Sequence, residues 1–277
     1  MVRKNQPDRV VEPVVQRQRI VYAKRGRLRF ASHRDFQRAF ERAIRRAGIP
    51  IAYSAGFSPH PKISYANAAP TGIASEAEYL EIGLTRALEP EVVRVALDQA
   101  LPEGMDVLEV VEARTPDFAE RLQGSVWGIE VFDTPFEVVE QAVAALLAST
   151  DAQVTRMTKQ GLRTFDVRHA VLDLRSSVGP DCDASLHSGS SLGQHAGTAL
   201  EKRAESSAAA HSSSECAILR LVVRHTIPAV RPDDVLQALA SVGALTTATP
   251  PRVTRWSRGP LTSDARDVGD PLAADRV

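Results

Sequence analysis

One order of elements occurs twice along this chain, and a recurring order constrains the fold more tightly than any single segment, because it points to a duplicated module. In the first half, QRIVYAKRGRLRF from Gln18 alternates apolar and polar residues and reads as a strand bent at Gly26. A helix follows: Phe36, Phe40, Ala43, Ile44 and Ala47 share one face at about 100° per residue. Ser32 suits its N-cap, Asp35 suits the positive end of the helix dipole, and Gly48 with Pro50 ends the run after Ala47. PIAYS reads as a short strand, ISYA as a brief pairing segment, and EYLEIGL, Glu78 to Leu84, as a further strand. Pro90 to Leu101 has helical spacing, and MDVLEVVEA alternates again. The order is β-α-β-β-α-β.

The second half restarts the series. VWGIEVF is a strand, and Pro135 opens a helix with Val138, Val139, Ala142, Val143, Leu146 and Leu147 on its apolar face, ending near Thr150. AQVTRMT, then LRTFDVR with AVLDL close behind, give two strands around a turn at 159–161. CAILRLVVRHTI, a helix from Pro232 through Val242, and PRVTRWSR complete the set. The expected fold class is therefore α+β, two tandem ferredoxin-like (βαββαβ) modules. Residues 1–16 read as a disordered tail, 17–114 as the first module, 115–258 as the second and 259–277 as another disordered tail. Within the second module, 176–215 is rich in Ser, Gly, Ala and His and reads as a disordered low-complexity insertion.

A formal net charge of +0 conceals an asymmetry: residues 1–70 carry 15 Lys and Arg against 4 Asp and Glu, net +11, which leaves −11 for the remainder. The N-terminal part is a candidate polyanion surface. Cys182 and Cys216 lie far apart without CxxC spacing, so they imply neither a zinc site nor a disulfide framework. The first 16 residues lack the apolar core of a signal peptide, and no apolar run reaches membrane-spanning length. The expectation is a cytoplasmic chain with no membrane partner.

The candidate binding residues follow from the charge. Arg34, Arg38, Arg42 and Arg45 fall on the helix face opposite the apolar stripe, and Arg27, Arg29, Arg46 and Lys62 add to them. Arginine forks bind phosphate oxygens in bidentate fashion, and several on one helix follow a nucleic-acid backbone. Tyr53, Phe57 and Tyr65 are candidates for stacking on bases. The candidate catalytic residues are His33, at the first turn of the basic helix, and His60, held between Pro59 and Pro61. Glu76 and Glu78 are either general bases or solvated strand charges. Neither histidine has a second ligand at metal spacing, and His187, His195 and His211 lie in the low-complexity insertion, so no metal and no cofactor is expected.

The run from Leu28 to Leu84, through SHRD, GIPIAYSAGFSPHPK and G-x-x-S-E-x-E-Y, resembles the signature of the radical-SAM-linked domain of unknown function. FDVRH, ending at His169, is similar to a shorter element of that family. The resemblance implies a stand-alone bacterial member whose partner chain supplies any radical chemistry, since the C-x₃-C-x₂-C cluster and the D-x-H-x-x-G cobalamin motif are both lacking here. Four functions stand as expectations. The first is an RNA-binding accessory protein, for tRNA or rRNA, acting with a separate radical SAM or RNA-processing enzyme. The second is a metal-independent endoribonuclease or RNA-modifying enzyme using His33, His60 or Lys62. The third is an adaptor whose basic helix binds an acidic protein, and the fourth is a small-molecule site in the loop from Ser54 to Ser75.

Overall fold

The alternation in QRQRIVYAK builds strand β1 (Gln16–Lys24). The structure, a computed structural model, describes residues 11–158, 161–178 and 216–276. Gly26, at φ +53°, takes the left-handed backbone that glycine adopts without strain and ends the strand direction. The expected continuation through RGRLRF as one bent strand does not form: Gly26–Phe30 is a 3-10 helix. Local bonds decide this, with the amides of Leu28 and Ala31 donating to the carbonyls of Arg25 and Leu28.

Helix α1 (His33–Arg46) starts where the sequence places its cap. The Asp35 amide donates to Ser32 Oγ at 3.2 Å, and that hydroxyl donates to Asp35 Oδ2 at 2.7 Å. Gly48, at φ +64°, carries the chain out of the helix. PIAYS does not form a strand; it contributes single bridges, Ile51 to Leu84 and Tyr53 to Pro61. The reason is competition for one edge: Gly83 donates to the Lys62 carbonyl and accepts from the Ala52 amide, so the next residues, not these, continue the ladder. Strands β2 (Ile63–Tyr65) and β3 (Ala74–Leu84), helix α2 (Pro90–Ala100) and strand β4 (Val107–Glu112) follow. The sheet runs β4-β1-β3-β2, antiparallel throughout. Both helices contribute to a core in which Ile20, Tyr22, Phe40, Ile44, Ile82 and Leu97 are buried.

After a single helical turn, α3 (Phe118–Arg121), the second series comprises β5 (Gly124–Phe132), α4 (Phe136–Ala148), β6 (Gln153–Thr158), β7 (Gly161–Asp166), β8 (Val171–Val178), β9 (Cys216–Arg224), α5 (Pro232–Gly243) and β10 (Arg252–Gly259). Its sheet runs β10-β5-β9-β8, again antiparallel. The expected inner pair, AQVTRMT with LRTFDVR, is instead a separate two-stranded ribbon of β6 and β7. The ribbon buries little besides Val154 and Phe165, whereas β8 brings Val171 and Leu174 to the core and takes the place beside β9. Of the expected insertion, 176–178 ends β8 and 179–215 lies outside the described residues.

The described chain divides into two compact units, residues up to 119 together with 272–276, and residues 120–271. The stretch after Gly259, read from sequence as a tail, is packed: Val268, Leu272 and Asp275 are all buried. Three well-placed side chains in a polar run carry no periodic signal. Within the first unit, Asp275 accepts from the Arg114 and Thr115 amides at 3.1 and 3.0 Å and pairs with Arg19. No helix among the described residues is long and apolar enough to cross a membrane.

Candidate nucleic-acid interface

Burial of Phe36, Phe40, Ala43 and Ile44 fixes the rotation of α1, so Arg34, Arg38, Arg42 and Arg45 stand exposed on its other side. None of these four has an ion-pair partner among the described residues. Other arginines of the same unit are committed. Arg17 and Arg19 share Glu81, Arg25 holds Glu76 and Asp106, and Arg46 donates to the Ala100 carbonyl at 3.2 Å. The acidic residues of α1 form no ion pair with these arginines among the described residues: Asp35 closes the cap, and the Glu41 charge is felt by Tyr65.

Arg27 and Arg29 sit on the 3-10 turn ahead of α1, Arg27 exposed and Arg29 half-buried with its guanidinium 4.7 Å from the Phe30 ring. The Arg29 Nε is buried and has no hydrogen-bond partner among the described residues. Phe57, His60 and Lys62 lie together on one loop, all three exposed. The Ser54 amide donates to the His60 carbonyl at 2.8 Å, and the His60 amide donates to Ser54 Oγ at 3.0 Å. These residues therefore form three groups, on the turn, the helix and the loop; no hydrogen bond or ion pair among the described residues joins one group to another.

His33 is exposed, with its ring edge-on to Tyr65 at 5.3 Å and Nε2 3.1 Å from Gln37 Nε2. No carboxylate and no second imidazole flanks it among the described residues. Tyr65 is half-buried, with its ring also edge-on to Phe36 at 5.9 Å. Its hydroxyl is buried without a partner among the described residues, and burial, then the Glu41 charge, pushes its pKa up. Glu76 and Glu78 both have partners within the unit: Glu76 accepts from Arg25 Nε at 2.8 Å, and buried Glu78 accepts from the Ala69 amide at 3.1 Å. No cluster of metal-ligating side chains occurs among the described residues.

Two features escaped the sequence reading. An open cleft of about 430 Å³ in the first unit is lined by Arg17, Arg19, Ser64, Glu81, Thr115 and Phe118. Its residues come from β1, β2, β3 and the segment after β4, so only the register, Arg19 opposite Glu81, brings them together. In the second unit, His225 Nδ1 donates to the Leu122 carbonyl at 2.6 Å and Nε2 accepts from Ser125 Oγ at 2.8 Å. Although the residue keeps an exposed side, burial of the bonded ring, then the charges of Arg258 and Arg255, pull its pKa down to about 4.

That depression fixes the sign of a pH effect. The unfolded imidazole takes a proton near its ordinary value of 6.5 while the native one resists to about 4, so the unfolded chain binds more protons between them. Stability is full above pH 6.5 and falls as pH drops toward 4, by about 2 kcal/mol after allowance for partial solvent screening. Urea midpoints at several pH values between 7 and 4 measure it, with His225→Gln expected to remove that part of the slope. An unchanged slope in the variant would place the titration elsewhere.

A family model described as an uncharacterized protein conserved in bacteria (DUF2344) matches residues 17–232. No curated protein matches the chain.

Proposed function

Because this chain belongs to that family of uncharacterized bacterial proteins, its own geometry has to carry the assignment, and we propose that it is an RNA-binding accessory protein without catalytic activity of its own. The observation that carries the reading is the row of four exposed arginines on α1, each without an ion pair among the described residues. A solvated basic face of purely structural origin is commonly laced with carboxylates at i+3 or i+4. Here Asp35 and Glu41 stand three or four residues from Arg38 and Arg45, yet neither pairs with an arginine of this face among the described residues, and the face lies within a stretch of net charge +11. Arg27, Arg29, Phe57, His60 and Lys62 extend the same basic and aromatic character onto the neighbouring turn and loop.

The strand order β4-β1-β3-β2, repeated as β10-β5-β9-β8, supports reading both units as ferredoxin-like. Such open sheets carry many functions, so the fold adds little to the choice. The resemblance to the radical-SAM-linked domain favours a partner enzyme in another chain, acting on tRNA or rRNA in the cytoplasm. The adaptor reading uses the same basic helix, against an acidic protein; a separate surface that suits a protein contact is the cross-strand pair Met157 and Leu162 on the β6–β7 ribbon, 69% and 71% exposed. The ribonuclease reading has the least support, since His33 has no base or acid beside it among the described residues.

Binding of tRNA by the purified chain across a range of salt concentrations tests the proposal. A log–log plot of affinity against salt should be linear, each phosphate contact adding about 0.7 to 0.9 to the slope. No binding, or binding indifferent to salt, would sink it.

A further inference from the structure

We propose that the loop from Tyr53 to Lys62 is a stacking platform for an unpaired base, so that the RNA bound beside the α1 arginines is single-stranded where it meets this loop. The inference rests on the RNA reading above and deepens it. Phe57 is 89% exposed, although a phenylalanine has about 150–250 Å² of surface to bury. A mobile loop would let such a ring fold back onto the protein. Here the base of the loop is fixed by the Tyr53 to Pro61 bridge, by both bonds between Ser54 and His60, and by the Lys62 amide donating to the Ala52 carbonyl at 2.7 Å. The ring is therefore held out on a closed scaffold and has its apolar faces free for an external partner.

The chemistry around it selects that partner. Residues 53–65 contain no Asp or Glu, while His60 and Lys62 are exposed and Tyr53 shows more than a third of its surface. An aromatic ring among cations suits a nucleotide, whose base stacks and whose phosphate is paired. Bases inside a duplex are already stacked and offer no free face, so the same loop would leave double-stranded RNA to the arginines alone.

The experiment compares fluorescence anisotropy of the full chain with labelled oligouridine of about 12 nucleotides and with an RNA duplex of equal length. Phe57→Ala and Phe57→Leu are measured beside the native chain, and circular dichroism checks their folding. The expected result is tighter binding of the oligouridine by the native chain, and a loss of about 5- to 100-fold on that probe for Phe57→Ala. Phe57→Leu, which keeps bulk but not the ring, should fall close to the alanine variant. Duplex affinity and the salt slope should not change. Oligouridine affinity indifferent to Phe57, or a native preference for duplex, overturns the platform while leaving the RNA reading intact. Failure to bind either RNA overturns both, and binding of a protein through Phe57 in that case would identify the loop as a protein contact.

Discussion

Changing Arg34, Arg38, Arg42 and Arg45 together to Ala should lower RNA affinity about a thousandfold at 0.1 M salt and flatten the salt slope by about 3. Both figures follow from four phosphate contacts, each worth about 0.7 to 0.9 in slope and therefore a similar number of decades of affinity at that ionic strength. The variant should fold, because all four side chains are exposed and alanine is the best helix former. Its helix keeps the Ser32 cap and the buried stripe of Phe36, Phe40, Ala43 and Ile44. Filter binding at several salt concentrations reads affinity and slope at once. A variant that loses affinity but keeps its slope has been damaged in some way other than losing phosphate contacts, and one that loses neither shows that α1 is not the RNA face.

Asp275→Ala should destabilise the first unit by about 3–5 kcal/mol, the usual effect of removing one partner of a buried ion pair. Arg19 and Asp275 are both almost fully buried, and Asp275 also accepts from two backbone amides and from Thr115 Oγ1 at 2.5 Å. Burial alone would raise its pKa, but the bonds from Thr115 and Arg19 outweigh it and hold the carboxyl at about 2. The carboxylate's contribution is therefore complete above its ordinary value near 4 and is lost only as pH falls from there toward 2. Urea unfolding at pH 7 measures the loss. The double variant Arg19→Met with Asp275→Leu should recover much of it, since no uncompensated charge then remains inside. A loss below about 1 kcal/mol for Asp275→Ala would mean that Glu81 and the Thr115 carbonyl suffice for Arg19.

Periodic segments were the legible part of this chain. The cap, face and end of α1 follow from Ser32, the spacing of Phe36, Phe40 and Ile44, and Gly48, each of which acts within a few residues of itself. Local signals misled where tertiary pairing chose between equivalent segments. LRTFDVR and AVLDL both read as strand segments, and the apolar residues of the second, Val171 and Leu174, are the ones that reach the core beside β9. RGRLRF keeps a strand-like alternation although Gly26 has already turned the chain away. In the site, the exposed arginines of α1 were readable because helix periodicity decides which face is buried. The commitment of Glu76 and the cleft around Arg17 and Glu81 were not, because their partners lie 51 and 64 residues away, and that of Glu78 was not, because the irregular loop that brings the Ala69 amide to it has no period.

Closing the first unit with Asp275 also sets an order of events during synthesis. β1 to β4 leave the ribosome early, yet the counter-charge for buried Arg19 follows Ala119 by roughly 150 residues, which is on the order of 10 to 30 s of translation. Until then Arg19 has Glu81, the carbonyl and hydroxyl of Thr115 and the face of Phe118, but no second carboxylate, and the nascent unit has to keep that guanidinium wet or half-paired. A fragment ending near residue 119 would be caught permanently at this stage, and expressing the two halves from separate genes would leave the first of them without the charge that completes it.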